Sequence, residues 1–152
     1  MPKEVILIAA VTIDGFIARH NKEVVSWSLD LPLFKKQTLG YPIIMGSNTR
    51  KTISKEELSG RKNIVVTRTD NPEKTLNKIN NPRCFIIGGG ITYSRFSPFI
   101  THMYITPHPF IFGKGVRLFE KHTSEINLQF KKKISVDESK GVHQYQYKVE
   151  KA

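Results

Sequence analysis

Four short stretches of this chain combine polar side chains with an abrupt end to an apolar run. Trp27-Ser28-Leu29-Asp30-Leu31-Pro32-Leu33-Phe34 sets one carboxylate among aromatic and aliphatic neighbours. Burial there would raise its pKa unless partners donate hydrogen bonds, and such a group can orient a substrate and promote its protonation. Asp30 is also a good helix N-cap, with Pro32 in the first turn where a missing N–H costs nothing. On local sequence alone capping is the better explanation, and one carboxylate can serve both roles.

Ile86-Ile87-Gly88-Gly89-Gly90-Ile91-Thr92-Tyr93 is a strand-like run that enters three glycines and then a helix start. Bare backbone lets a phosphate approach, and unpaired N–H groups at the helix N-terminus attract it. A ligand-free strand-to-helix turn is the alternative. Pro42-Ile43-Ile44-Met45-Gly46-Ser47-Asn48-Thr49 repeats that pattern, with hydroxyl and amide side chains that suit either a second phosphate or helix capping. In Gly60-Arg61-Lys62-Asn63-Ile64-Val65-Val66-Thr67-Arg68, cations bracket an apolar strand. An arginine fork matches a carboxylate or phosphate, although a basic residue at a strand end is commonly just solvated.

These stretches need a scaffold, and the chain supplies one. Val5–Val11 is apolar enough to be a strand buried on both faces, followed by an Asp14-Gly15 turn. Residues 18–29 lack a period and read as a long loop of the kind that often carries function. A helix is expected from Asp30 until Gly40 and Pro42 stop it, with a short one from Ser47 or Asn48 to about Ile53. Strands at Tyr41–Met45, Lys62–Thr67, Arg83–Ile87 and Met103–Thr106 alternate with helices near Pro72–Ile79 and Ile91–Phe96. Ile126–Ile134 and His143–Val149 flank a polar turn and predict an antiparallel hairpin. The expected fold is α/β in three layers: a mostly parallel central sheet, helices on both faces and that C-terminal hairpin. A length of 152 residues accommodates one domain, 1–152.

Composition narrows the function classes. The formal charge of +11 favours anionic partners, among them nucleic acid, a dinucleotide phosphate or a polycarboxylate. Clusters such as Lys131-Lys132-Lys133 read as solvated surface, and no nucleic-acid-binding motif accompanies them. The lone Cys84, inside an apolar run, is expected in a buried strand and excludes an internal disulfide. No apolar stretch is long enough to span a bilayer. The expectation is therefore a cytoplasmic protein with neither a nucleic-acid nor a membrane partner, monomeric, with a homodimer as the alternative.

In this order and spacing, the four stretches resemble the dihydrofolate reductase family from Val5 to about Thr106. The resemblance implies NADPH-dependent reduction of dihydrofolate to tetrahydrofolate, with Asp30 the pocket's single acid. It places Ile8, Ala9, Phe34, Ile53, Leu58 and Ile87 around the substrate, Arg61 on its glutamate carboxylate, and Thr106 on the Asp30 carboxylate. On the cofactor side it implies Ala10, Ile17 and Tyr93 near the nicotinamide, Thr49 with Gly88, Gly89 and Gly90 on the pyrophosphate, and Gly46, Ser47, Asn48, Ile91 and Thr92 as further cofactor-binding residues. Thr67 and Arg68 would take the ribose 2′-phosphate, and a cis peptide would join Gly88 to Gly89. Asp30, Tyr93 and Thr106 are thereby the candidate catalytic residues.

Three features depart from the family pattern. Ser47 stands where a second arginine is common. The loop before Asp30 lacks a Pro-Trp pair, with Trp27 two positions closer to the acid. Residues Asp14–Ala18 and His108–Phe119 resemble instead the reductase domain of riboflavin synthesis, which shares the fold and NADPH but reduces a ribosylaminopyrimidine phosphate. That activity is the alternative reading, and a basic nucleic-acid-binding module is the alternative from another class.

Overall fold

The structure is a computed structural model that describes residues 1–121 and 123–151. Among these, strands β1 (Glu4–Thr12), β2 (Phe16–Ala18), β3 (Ile43–Gly46), β4 (Asn63–Val66), β5 (Arg83–Gly88), β6 (His102–His108), β7 (Val116–Arg117), β8 (Leu128–Asp137) and β9 (Val142–Val149) alternate in part with helices. The α-helices are α1 (Leu31–Thr38), α2 (Ser47–Thr52), α3 (Pro72–Asn77) and α4 (Gly90–Phe96). Seven strands form one sheet in the order β4-β3-β5-β1-β6-β9-β8. The first five run parallel, and β9 and β8 close the edge antiparallel.

Alternation along β1 builds two cores. Val5, Leu7, Ala9 and Val11 pack on one face with Leu76 of α3 and with Tyr93 and Phe96 of α4. Ile6 and Ile8 pack on the other with Met45, Phe85, Leu58 and the half-buried Phe34 of α1. Helices thus cover both faces, as expected, and each fully buried aliphatic side chain contributes roughly 1.5–3 kcal/mol. Cys84 is fully buried in β5, where burial pushes its thiol pKa up to about 12.

Two differences from the sequence reading are instructive. β6 continues beyond Thr106 through Pro107 to His108. Pairing with β9 ends at Ile105, whereas pairing with β1 continues, so the proline lies where only one neighbour remains. A separate antiparallel ribbon joins β2 to β7, and its strands of three and two residues are too short to show a period. Lys131–Lys133 are exposed on the edge strand β8, where charge discourages pairing with another chain.

Candidate active site

The carboxyl ends of β1, β3, β4 and β5 open into a cavity of about 500 Å³. β5 is inserted between β1 and β3, so the chain changes direction across the sheet at this edge, where open α/β sheets bind their ligands. Ile8, Ala9, Ala10, Ile17, Phe34, Ile53 and Ile87 supply apolar lining around Asp30. Gly46, Ser47, Asn48, Thr49, Thr67, Arg68, Gly88, Gly89, Gly90, Ile91, Thr92 and Tyr93 line the rest.

Asp30 precedes α1 and is only 7% exposed. Its backbone carbonyl accepts the Phe34 N–H at 2.8 Å, but its side chain makes no capping hydrogen bond. The capping explanation is therefore corrected: the main chain starts the helix and the carboxylate faces the cavity. Burial raises its pKa, opposed by any charge on His108 and by the Thr106 and Ser28 hydroxyls. Asp30 is not the cavity's single acid, since Glu23, Glu57 and Glu120 also line it, but it alone of these is buried.

Thr106, Leu58 and Arg61 do not line the cavity. Thr106 is fully buried behind Asp30, and its Oγ1 forms no complete hydrogen bond within the protein while still opposing the rise in the Asp30 pKa. Leu58 is a core residue of the Phe34 face. Arg61 braces the end of α1: Nε donates to Thr38 Oγ1 at 2.8 Å, one Nη to Lys35 O at 2.6 Å, and the other to Ser59 O. Thr106→Val should leave stability within about 1 kcal/mol, because the hydroxyl it removes lacks a full partner. It should also move the acid limb of the kcat/KM profile to higher pH; an unmoved limb would detach Thr106 from Asp30.

At the glycine end, Gly88 and Gly89 are joined by a cis peptide, as the resemblance implied. Gly88 has φ +135°, a region that L side chains rarely adopt. A Cβ there would lie 3.0 Å from Thr49 Oγ1. Tyr93 is buried, and its hydroxyl donates to Ile8 O at 2.6 Å, tying α4 to β1 beside the cavity. Burial, with Asp30 adding to it, pushes the phenol pKa up, so Tyr93 acts here as a fixed neutral donor.

Past β4, the Thr67 N–H donates to Asp70 Oδ2 at 2.7 Å and the Thr67 hydroxyl to the same oxygen at 3.2 Å. Thr67 is thus engaged within the protein, while Arg68 is exposed at the cavity. Sequence reasoning missed Arg95, which also lines the cavity and donates to Thr67 O at 2.8 Å and to Asp70 O. Its position in the last turn of α4, in line with the glycine turn, was the available signal.

The loop between β2 and α1 is fastened from outside. Trp27 meets His108, Phe110 and Phe112 edge to face, with centroids 5.3, 6.0 and 5.3 Å away. Arg19 lies over the Phe112 ring at 4.4 Å and pairs with Glu23 at 2.6 Å. Asp14 accepts the N–H groups of Phe112 and Gly113 at 3.2 and 2.8 Å. The segment resembling the riboflavin-synthesis reductase is therefore the one on which the departing Trp27 docks.

A buried carboxylate and a side-chain-free glycine turn at two parts of one cleft, on the carboxyl edge of a parallel sheet, define a small-molecule site of the kind in which open α/β folds bind nucleotide cofactors. The family model described as Dihydrofolate reductase matches residues 4–151, and the chain belongs to that family, whose members are NADPH-dependent oxidoreductases. It is 34% identical over 113 residues to dihydrofolate reductase of Bacillus subtilis (strain 168), covering 65% of this chain and 66% of that one. It is 33% identical over 116 residues to dihydrofolate reductase type 3 of Salmonella typhimurium, covering 66% and 68%. The matches thus span about two thirds of these relatives. A putative riboflavin biosynthesis protein from Shewanella sp. PV-4 shares the fold with TM-score 0.65 at 18% identity, covering 97% of this chain and 99% of that one. No helix among the described residues is long and apolar enough to cross a membrane.

Proposed function

We propose that this chain reduces dihydrofolate to tetrahydrofolate with NADPH. The observation that carries the reading is the buried, uncapped Asp30 facing the cavity that the glycine turn also lines. The residues suit the cofactor: Gly88 and Gly89 leave space beside Thr49 that a side chain would fill. Thr49, Thr92 and the backbone of Gly88–Gly90 would hold the pyrophosphate, and Arg68 the ribose phosphate. When bound, NADPH supplies the hydride.

The protein's own part is positioning and electrostatics. Ionised Asp30 accepts two hydrogen bonds from the N–H face of a pterin and fixes the ring in the cleft. Ile8, Ala9, Phe34 and Ile87 keep water from the flanks, which strengthens the field of the carboxylate. That negative field favours the substrate imine nitrogen in its protonated form, with water as the immediate donor.

Arg68→Ala should cost about 1.5–3 kcal/mol of NADPH binding, the worth of a charge-assisted hydrogen bond, with little change for NADH. Titrations with both cofactors check this, and equal losses would contradict the assignment. Reduction of a ribosylaminopyrimidine phosphate is the second reading, favoured by one observation: Arg61 commits three of its five N–H donors to α1 and Ser59 and does not line the cavity, which weakens its match to a glutamate tail. Spectrophotometric oxidation of NADPH, with each substrate side by side, decides between them.

A further inference from the structure

We propose that His108 is the positioning residue for Asp30, acting as a neutral imidazole that joins the Leu29 peptide to the end of strand β6. The claim rests on the role of Asp30 proposed above. His108 is fully buried, on the strand that carries Thr106. Its Nδ1 lies 2.8 Å from Thr106 O, and a carbonyl can only accept, so Nδ1 carries a hydrogen. Its Nε2 lies 2.9 Å from Leu29 N, and a peptide N–H can only donate, so Nε2 presents its lone pair. One state meets both demands: the neutral ring protonated at Nδ1. An imidazolium would set two donors against each other at Nε2.

The consequence for the site is directional. No capping bond anchors the Asp30 side chain, so α1 alone does not aim it. The Leu29 N–H held by His108 precedes Asp30 by one residue, and the Thr106 whose carbonyl accepts from His108 also turns its hydroxyl toward the carboxylate. Both backbone segments flanking Asp30 are thereby tied to one ring. Trp27, edge to face with that ring at 87°, closes the solvent side. Asp30 and His108 are the titratable groups that face each other here, and a charge gained by His108 would lower the Asp30 pKa against the push of burial.

The test has two parts. Nitrogen-15 NMR of the imidazole in the wild-type protein at neutral pH should show the Nδ1–H neutral tautomer, a readout independent of turnover. His108→Phe keeps an aromatic edge for Trp27 but removes both nitrogens. It should lower kcat for dihydrofolate about tenfold and shift the pH profile, with NADPH affinity within about twofold of wild type. His108→Gln, whose Oε1 can accept from the Leu29 N–H, should recover kcat to within about threefold. An imidazolium or an Nε2–H tautomer, wild-type kcat in His108→Phe, or a folded His108→Gln as slow as His108→Phe would each overturn the proposal. Turnover that survives Asp30→Asn would instead overturn the role of Asp30. The wrong tautomer beside an inactive Asp30→Asn overturns only the positioning claim.

Discussion

Asp30→Asn is expected to lower dihydrofolate turnover at neutral pH by about 10²–10⁴-fold, the range for losing a positioned acid–base group. Asn is nearly isosteric with Asp, and the backbone bond from Phe34 N–H to the carbonyl of residue 30 survives, so α1 still forms. What is lost is the negative charge proposed above to hold the pterin and favour its protonation. Activity should return in part at low pH, where free substrate is protonated without help.

The same variant should be more stable than wild type at neutral pH. Burial raises the Asp30 pKa in the folded state, so the folded protein binds this proton more tightly than the unfolded chain does. Stability linked to that proton is fully present below the unfolded pKa and is lost as pH rises through the folded one. Ionised Asp30 is therefore a stability cost at pH 7 that Asn removes, so the Tm of the variant should lie above that of wild type. Thermal unfolding at pH 7 and near pH 4 measures it. A variant less stable than wild type at pH 7 would contradict the cost of burying the ionised carboxylate, and one with undiminished turnover would remove Asp30 from the site's chemistry.

Gly90→Ala should be the most damaging conservative change in the glycine turn. A Cβ at Gly90 would overlap the carbonyl oxygen of Arg117 and lie 2.6 Å from Glu120 Cγ. Glu120 could rotate away, but the Arg117 carbonyl is backbone within the β2–β7 ribbon, so relief requires moving that ribbon. Overpacking of this kind costs about 3 kcal/mol, or roughly 6–12 °C in Tm for a domain of this size. The moving ribbon also abuts the cavity through Ile17, Ala18 and Val116, so NADPH affinity should fall by about tenfold or more. Calorimetry and a cofactor titration read the two effects. A wild-type Tm would show that the contact between the turn and the ribbon is slack.

The order of the sheet's strands and helices, and the places where ligand chemistry could sit, were legible in the sequence. A strand buried on both faces is written as an unbroken apolar run, and Val5–Val11 and Cys84–Ile87 are such runs. The glycine triplet stands at the end of the second run, and Asp30 stands just ahead of α1 where a helix start was legible. The tertiary structure decided which way those groups point and what competes for them. Whether Asp30 caps α1 or enters the cavity turns on a strand 79 residues from Leu29. Arg61 is drawn onto Lys35, 26 positions away, Arg95 enters the cavity through α4, and the β2–β7 ribbon exists only as a long-range pair. Periodicity records how far each side chain is buried against its own sheet. It cannot record which partner, distant in the chain, satisfies a polar group once the elements have packed.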